Sequence, residues 1–380
     1  NKASYVKEAL AAPEFEKMSY RMATCATPYP FPDQFALAFL KGLERVIVFE
    51  ELDPVIEEEL TYLCGVHHLD IEIHGKHTHE TNEAGENTCD AVRGQLDAFF
   101  GITQREEHDQ DGEGASDKAA LPVPELAARP PVLCAGCPHR GSFYAVKKAL
   151  KGQRAYYMGD IGCYTLGNAA PLDMVDTCLC MGAGITIAQG MQVVDPGAKH
   201  IAFVGDSTFF ASAITGIINA YYNKIDITVI VLDNSTTAMT GHQVNAGSNK
   251  DVKGNAVPAI DLVAIIRALG VPDERLRVVD PLDLKAVQEA FNAALAVKGP
   301  FVIITKRPCA LIKEVARANA GKYCQVNPDK CVGCKACTLI ACPAMAFKDN
   351  KALIADPASC TACGLCIQMC KFDAISRVGE

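Results

Sequence analysis

The sequence lacks the features of several classes of protein. Charged residues make up only 21% of the 380 residues and hydrophobic residues make up 49%, which excludes a disordered chain. A glycine period is absent, which excludes a collagen-like fibre. No apolar run approaches the roughly 20 residues that span a bilayer, and the start does not resemble a signal peptide. These absences predict a globular cytoplasmic protein without a membrane segment, long enough for two or three domains.

Positive charge is also scarce. The chain has 36 lysines and arginines against 45 acidic residues, a net charge of -9. A negative chain is repelled by nucleic acid and by anionic lipid. We therefore expect no nucleic-acid partner and no membrane partner.

Cysteine, by contrast, is abundant. The chain has 18 cysteines, eight of them in the last 50 residues. Disulfides at this density occur in small secreted scaffolds, and this chain is long and has no export signal. The cysteines are therefore interpreted as ligands of metal ions or of iron–sulfur clusters.

The cysteines of residues 323–380 form two similar runs. Each run reads C-x2-C-x2-C and is followed by a fourth cysteine. The arrangement resembles that of bacterial two-cluster ferredoxins, where the fourth cysteine of each run ligates the other cluster. The resemblance implies an α+β module with two [4Fe–4S] clusters, held by Cys331, Cys334, Cys337 and Cys370 and by Cys360, Cys363, Cys366 and Cys342. Zinc is the alternative, although it prefers pairs of C-x2-C.

The rest of the chain is predicted to hold two α/β domains. Residues 1–100 contain predicted strands at 45–49 and 71–73. The helix predicted between them has Asp53 as its N-cap and Pro54 at its first position. Residues 101–131 are rich in acidic residues and proline, which predicts a linker. In residues 132–318, continuous apolar strands alternate with helices, which predicts a doubly wound parallel sheet. Its predicted strands are Ala155–Met158, Ile201–Val204, Ile227–Leu232 and Phe301–Thr305.

Two of these strands end in residues suited to a cation and a phosphate. Gly205-Asp206-Ser207 follows one strand, and Asn234 and Thr236 follow the next. Oxygen ligands suit Mg²⁺, while glycine and a helix start allow a phosphate to approach closely. The spacing resembles that of the thiamine diphosphate motif. The presumed Mg²⁺ ligands are the side chains of Asp206 and Asn234 and the carbonyl of Thr236.

Three further segments narrow the resemblance to one family. They are residues 134–140 (CAGCPHR), 159–164 (GDIGCY) and 231–243 (VLDNSTTAMTGHQ). Together they resemble the 2-oxoacid:ferredoxin oxidoreductases, in particular the large subunits of the indolepyruvate type, which carry their own ferredoxin module. The likeness covers essentially the whole chain and implies that residues 1–100 form a transketolase-C-like domain. It implies oxidative decarboxylation of an arylpyruvate such as indole-3-pyruvate to the acyl-CoA, with electrons passing through the clusters to an external ferredoxin.

The same resemblance implies the site residues. It places His139 and His242 as candidate catalytic residues, although each is equally well explained as a structural hydrogen bonder. A third [4Fe–4S] cluster near the thiamine is implied at Cys134, Cys137, Cys163 and Cys309. Cys178 and Cys180 are the rival fourth ligands, in a segment (177–181) predicted to be buried packing and not a strand. The implied cofactor-binding residues are Gly136, Cys137, Pro138, His139, Asp160, Ile161, Gly162, Cys163, Tyr164, Gly182, Gly205, Asp206, Ser207, Asn234, Thr236, Met239 and Thr240.

The family also implies partners and leaves alternatives. Its pyrimidine-binding domain and thiamine-activating glutamate are not found in this sequence, so a smaller partner subunit or a missing N-terminal segment is expected to supply them, in an oligomer. CoA is the expected acyl acceptor. Pyruvate, a branched 2-oxoacid or phenylglyoxylate remain alternative substrates. A non-catalytic electron-transfer subunit is the alternative of another class.

Overall fold

The computed structural model of the chain describes residues 2–102 and 129–379. Its contacts divide the chain into two compact units, Asn1–Glu125 and Leu126–Glu380. Most of the predicted linker at 101–131 lies outside the described residues. Among the helices of the described ranges, none has the length and apolar character needed to cross a bilayer. All the candidate site residues belong to the second unit.

The first unit has a small parallel sheet flanked by helices. Val46 of its first strand pairs with Ile73 of its second, and the predicted strands therefore both occur, each three residues long. Apolar side chains of the helices pack on this sheet and form a small core. Its elements are α1 (Lys2–Leu10), α2 (Asp33–Leu40), β1 (Arg45–Ile47), α3 (Val55–Val66), β2 (Glu72–His74) and α4 (Cys89–Phe100).

The start of α3 differs from the sequence prediction. The helix begins at Val55, and the N-cap position is occupied by Pro54, which makes no side-chain cap. The amides of Ile56 and Glu57 instead donate to the two carboxylate oxygens of Glu50, at 2.9 and 3.0 Å. The prediction that Asp53 caps the helix was wrong, because a glutamate five residues upstream of the helix reaches two free amides at once.

The second unit is built on a six-stranded parallel sheet. Across the sheet the strands lie in the order Thr177–Leu179, Ala155–Asp160, Lys199–Gly205, Thr228–Asp233, Phe301–Lys306 and Leu276–Val279. Helices cover both faces, and two separate apolar cores lie between them and the sheet. The doubly wound parallel sheet predicted from the sequence is thus confirmed. Its elements are α5 (His139–Ala149), β3 (Ala155–Asp160), β4 (Thr177–Leu179), α6 (Ala183–Val194), β5 (Lys199–Gly205), α7 (Asp206–Thr208), α8 (Ile214–Tyr222), β6 (Thr228–Asp233), α9 (Leu262–Ala268), β7 (Leu276–Val279), α10 (Leu284–Leu295), β8 (Phe301–Lys306) and α11 (Lys313–Ala318).

The two edge strands were not predicted. The segment 177–181 was expected not to form a strand, but Thr177–Leu179 pairs with β3 as β4. The other edge is Leu276–Val279, which pairs with β8. Both strands are short and partly exposed, unlike β6, which is buried throughout. Edge strands of this kind lack the continuous apolar run that identifies a central strand.

The C-terminal residues form two small antiparallel ribbons that carry the cysteine loops. The first ribbon pairs β9 with β12 and the second pairs β10 with β11. Three buried side chains of this ferredoxin-like module, Ile340, Leu365 and Met369, pack against the sheet domain. The elements are β9 (Tyr323–Val326), β10 (Met345–Lys348), β11 (Lys351–Ile354), α12 (Leu365–Met369) and β12 (Ile375–Val378).

A side-chain amide reinforces this contact. Gln368 of α12 donates from Nε2 to the carbonyl of Leu282 at 2.6 Å, and its Oε1 accepts the amide of Leu284 at 3.0 Å. Because both ends of one amide group are hydrogen-bonded, the position of α12 relative to the start of α10 is fixed.

Candidate cofactor and cluster sites

The sheet order creates a crevice at its carboxyl edge. The chain leaves β3 toward β4 on one side, whereas β5 leads to β6 on the other side. Ligands of α/β sheets bind where the strand order reverses in this way. Asp160 ends β3, Gly205 ends β5 and Asp233 ends β6, so the motifs found in the sequence meet at this edge.

Tyr164 fills the floor of the crevice between β3 and β5. Its ring is buried at 3% exposure. A Cβ added to Gly162 would lie 2.3 Å from this ring, and one added to Gly205 would lie 2.8 Å from it. Real side chains do not approach so closely, which explains why both strand ends carry glycine. Two of the predicted cofactor-binding glycines therefore have a packing role as well.

Gly182 connects the crevice to the start of α6. Its amide donates to Oδ2 of Asp160 at 2.7 Å. Its φ of +89° is a left-handed conformation that favours glycine. A side chain there would also meet Ser212, at 2.6 Å. This arrangement brings the helix start beside the carboxyl end of β3.

Asp206 has the environment of a cation ligand. The residue is 4% exposed, and Oδ1 accepts the amide of Ser207 at 2.7 Å. Among the described residues, Oδ2 has no hydrogen-bond partner. Burial and, to a smaller extent, the nearby charge of Asp233 raise the pKa of Asp206 to about 7. A buried carboxylate with a free oxygen fits a divalent cation, which would stabilise its charged form.

The other predicted Mg²⁺ ligands lie in the loop that follows β6. Asn234 and Thr236 are buried at 7% and 6% exposure. The Thr237 hydroxyl donates to the Ser207 hydroxyl at 2.9 Å and so joins the loops after β5 and β6. Asn245 faces the Asp206 carboxylate, and its Nδ2 is buried with no hydrogen-bond partner within the described part of the chain. Its Oδ1 accepts the amide of Gly247 at 3.0 Å, so the nitrogen is the end of this amide that faces Asp206. The oxygen donors of Asp206, Asn234 and Thr236 fit Mg²⁺ bound to a diphosphate.

The two candidate catalytic histidines lie in different surroundings. His139 is 3% exposed and meets the ring of Tyr164 edge-on, with 6.2 Å between ring centroids. Burial lowers the pKa of His139 to about 4, so its imidazole is neutral at pH 7. His242 is exposed, and its Nε2 lies 3.8 Å from the Sγ of Cys309. Other predicted contacts also face solvent: Ile161, Met239 and Thr240.

The structure gathers the four cysteines predicted for a third cluster. Burial raises the pKa of Cys137 to about 12, and the charges of Cys134 and Cys309 act in the same direction. Burial also raises the pKa of Cys163, again with contributions from Cys309 and Cys134. The four thiols therefore share one neighbourhood beside Pro138 and the start of α5. Four thiolates are a donor set that suits an iron–sulfur cluster.

The rival ligands differ from their prediction. Cys178 and Cys180 are exposed, and not buried as expected. Cys178 lies in the partly exposed edge strand β4, and Cys180 follows the end of that strand. Cys178 lies 3.9 Å from the hydroxyl of Thr165.

Two cavities of the C-terminal module match the two predicted cluster sites. The outer cavity is lined by Cys331, Cys334, Cys337 and Cys370. The inner cavity is lined by Cys342, Cys360, Cys363 and Cys366. In each case the fourth cysteine comes from the other run, as the resemblance to two-cluster ferredoxins implied.

The surroundings of these sulfurs favour clusters over zinc. Main-chain amides donate to Sγ of Cys331 at 3.5 Å, of Cys370 at 3.4 Å and of Cys360 at 3.3 Å. Hydrogen bonds to sulfur of this kind are a usual feature of iron–sulfur sites.

The sequence did not identify three residues that line these sites. Arg140 lies within the CAGCPHR segment, but nothing in the pattern showed which groups it reaches. Asn245 lies outside the segments that carry the resemblance. Cys324 is buried at 1% exposure and lines the inner cavity, although it has no ligand spacing. Their roles depend on contacts between residues distant in the chain.

Comparisons with known proteins agree with this geometry. A family model described as thiamine pyrophosphate enzyme, C-terminal TPP binding domain, matches residues 160–305, and a 4Fe-4S binding domain model matches residues 353–376. The chain is 37% identical to the indolepyruvate oxidoreductase subunit IorA of Pyrococcus abyssi, over 99% of this chain and 59% of that protein. It is also 37% identical to the IorA of Methanothermobacter thermautotrophicus, over 93% of this chain and 55% of that protein.

A solved structure shows a weaker likeness. It is a 2-oxoglutarate:ferredoxin oxidoreductase from Magnetococcus marinus, 17% identical with a TM-score of 0.41, covering 51% of this chain and 71% of that chain. At this identity and score the likeness to the solved structure carries no argument about function. The chain spans about three fifths of the length of the first sequence relative. Over that part, the chain is similar to indolepyruvate oxidoreductase subunits, and its residues 160–305 match a thiamine-pyrophosphate-binding domain.

Proposed function

We propose that this chain carries the cofactor-binding and electron-transfer parts of an enzyme that oxidatively decarboxylates an arylpyruvate such as indole-3-pyruvate. The products are the acyl-CoA, CO₂, the proton of the CoA thiol and two electrons, which leave singly toward an external ferredoxin. The observation that carries the proposal is the contact between the two kinds of site. The amide of Cys309, a proposed cluster ligand, donates to the carbonyl of Asn234, a proposed Mg²⁺ ligand, at 2.9 Å. A thiamine diphosphate held through Mg²⁺ at Asn234 would thereby lie adjacent to a cluster held by Cys309.

The crevice residues hold and orient the cofactor. When bound, thiamine diphosphate supplies the electron sink for loss of CO₂. Asp206, Asn234 and the carbonyl of Thr236 would hold its Mg²⁺, with Asn245 adjacent. Because Gly205 has no side chain, the diphosphate can approach the backbone closely at the start of α7. His242 is exposed beside Cys309 and is placed to meet the substrate, while the buried His139 has a role in shaping the pocket.

The cavities suggest an order for the electron path. Ala135 and Gly136, between the two cysteines of the CAGC loop, line the inner cavity of the C-terminal module. The outer cavity is lined by Cys334, which is exposed. We assign the sequence as third cluster, inner cluster, outer cluster and then ferredoxin. The outer cluster is assigned as the exit because one of its ligands, Cys334, is exposed, whereas none of the four ligands of the inner cluster is exposed.

Other components are proposed from the family. The chain spans 59% of its relative from Pyrococcus abyssi, and that relative is named as a subunit. A pyrimidine-binding domain with the thiamine-activating glutamate is therefore expected from a partner subunit or from sequence beyond this chain. CoA is the expected acyl acceptor.

Cofactor analysis tests the proposal. Anaerobically purified protein is expected to hold one thiamine diphosphate with Mg²⁺ and about twelve iron atoms, four for each of three clusters. Asp206→Ala should release the thiamine diphosphate and keep the iron. Asp226→Ala is the matched control, because Asp226 precedes β6 at the opposite edge of the sheet, where it accepts the amide of Gly299 at 3.0 Å. Iron without any affinity for thiamine diphosphate would instead identify an electron-transfer subunit.

Activity measurements test the substrate. The chain with its partner subunit should reduce ferredoxin anaerobically in the presence of CoA and indole-3-pyruvate. Pyruvate, a branched 2-oxoacid and phenylglyoxylate serve as competitors in the same assay. Equal rates with pyruvate and indole-3-pyruvate would reject the arylpyruvate assignment and leave the reaction class intact.

A further inference from the structure

Arg140, the second residue of α5, is a buried cation bonded to main-chain carbonyls alone. It is 2% exposed. Its Nε donates to the carbonyl of Cys134 at 3.0 Å, and Nη2 donates to that of Leu133. Its Nη1 donates to the carbonyl of Ile340 at 3.1 Å and to that of Ala341. One guanidinium thus joins the loop before α5 to the loop that leads to Cys342 in the C-terminal module.

No carboxylate in the described part of the chain is recorded as an ion-pair partner of Arg140. The acidic groups that act on it are thiols. Burial lowers the pKa of Arg140, and the charges of Cys342, Cys137, Cys134 and Cys363 oppose that effect. Two of these cysteines belong to the proposed third cluster and two to the proposed inner cluster. Arg140 also lines the inner cavity itself.

A buried charge is stable only when it is compensated. Carbonyl dipoles compensate a guanidinium in part, and anionic clusters with thiolate ligands would complete the compensation. Reduction adds a negative charge to a cluster, so a fixed positive charge nearby favours the reduced form. In a buried site this effect is screened much less than at the surface.

We propose that Arg140 is a shared counter-ion and positioning residue for the third and inner clusters, which joins their ligand loops and raises both reduction potentials. This inference rests on the proposed function, since it requires that both sites hold clusters. Arg140 has no such role at the outer cluster, because the cysteines of that cluster are not among the groups that act on Arg140.

The test compares Arg140→Gln with Arg140→Lys in the full chain with its partner. Potentials of all clusters are measured by redox titration followed by electron paramagnetic resonance, with iron content measured in parallel. Arg140→Gln should lower the ratio of reduced to oxidised third and inner clusters about tenfold at fixed potential, a shift of about 59 mV for one electron. The outer cluster should keep its potential. Arg140→Lys keeps the charge and should restore most of the shift.

Arg377→Gln is the matched control. Arg377 also donates to a carbonyl of a cluster loop, that of Ala362 at 3.0 Å, but its side chain is exposed. Solvent screens its charge, so its removal should change the potentials far less.

The possible results separate the proposed function from the counter-ion role of Arg140. Absence of iron in the wild-type protein would reject the proposed function itself. Three clusters with unchanged potentials in Arg140→Gln would overturn the counter-ion role and leave the proposed function standing. If Arg140→Gln fails to fold, the iron content and cluster potentials of Arg140→Lys decide between a counter-ion role and a structural role. Loss of the inner cluster in this charged variant too would show that the guanidinium is purely structural.

Discussion

Tyr164 donates its hydroxyl to the carboxylate of Asp160, at the carboxyl end of β3. Asp160 has no exposed surface, and its other oxygen accepts the amide of Gly182. Burial raises the pKa of Asp160, and the two hydrogen bonds act against that effect. The pair therefore fixes three elements around the crevice, namely the end of β3, the turn that carries Tyr164 and the start of α6.

Tyr164→Phe removes the hydroxyl and leaves the ring between Gly162 and Gly205. We expect the free energy of unfolding to fall by about 1–3 kcal/mol, because the buried Asp160 carboxylate loses a donor. Urea denaturation of the cofactor-free protein measures this change. Tyr222→Phe is the control, since Tyr222 is 85% exposed and should show no change. Equal stability of the two variants would contradict a stabilising role for the Tyr164–Asp160 bond.

Cys163→Ser tests the third cluster. The iron content should fall from about twelve to about eight atoms, because one cluster loses a ligand while the two C-terminal sites are untouched. Cys178→Ser is the control, as Cys178 is an exposed cysteine near the same turn. Iron and acid-labile sulfide are counted in anaerobic preparations. If Cys178→Ser loses iron and Cys163→Ser does not, the ligand assignment must be exchanged.

Gly136→Ala tests the packing of the CAGC loop against the C-terminal module. Gly136 has a φ of +72°, and an added Cβ would lie 2.0 Å from the hydroxyl oxygen of Thr361. Gly152 has a similar φ of +82° and no neighbour within 4 Å, so Gly152→Ala carries the backbone strain without the clash. We expect Gly152→Ala to cost about 1–2 kcal/mol. Gly136→Ala should cost more and should also reduce the iron content.

The comparison is made by chemical denaturation together with iron analysis. A decrease of the same size in both glycine variants would mean that the loop and Thr361 are free to move apart. The clash would then have no bearing on the electron path.

The cofactor-free protein should become less stable as the pH rises. The pKa of Asp206 is about 7 in the folded chain, above the ordinary value of about 3.9 in the unfolded chain. Between these values the folded state binds the extra proton, so ionisation of Asp206 lowers the free energy of unfolding. The loss should reach on the order of 2–4 kcal/mol above about pH 7.

Denaturation at a series of pH values measures the slope of the free energy of unfolding against pH. Asp206→Asn, which cannot ionise, should remove most of it. Mg²⁺ with thiamine diphosphate should reverse it in the wild-type protein, because the cation stabilises the carboxylate. An unchanged slope in Asp206→Asn would assign the titration to another group.

The sequence predicted those parts of the molecule that depend on local spacing. The cysteine triplets, the strand ends at Gly205 and Asn234 and the central strands all follow from residues close together in the chain. Three other features were not predictable in this way. Glu50 takes the place of Asp53 at a helix start, Arg140 reaches carbonyls about 200 residues away, and the edge strand at Cys178 has no apolar run.

The amide of Gln368 has a consequence for how electrons leave the crevice. Since it uses its nitrogen on Leu282 and its oxygen on Leu284, sliding or tilting of the C-terminal module would break two bonds at once. The spacing between the proposed redox centres is then a property of the packed chain. The proposed electron path would work by tunnelling across a constant gap, with no swinging arm that must travel between donor and acceptor.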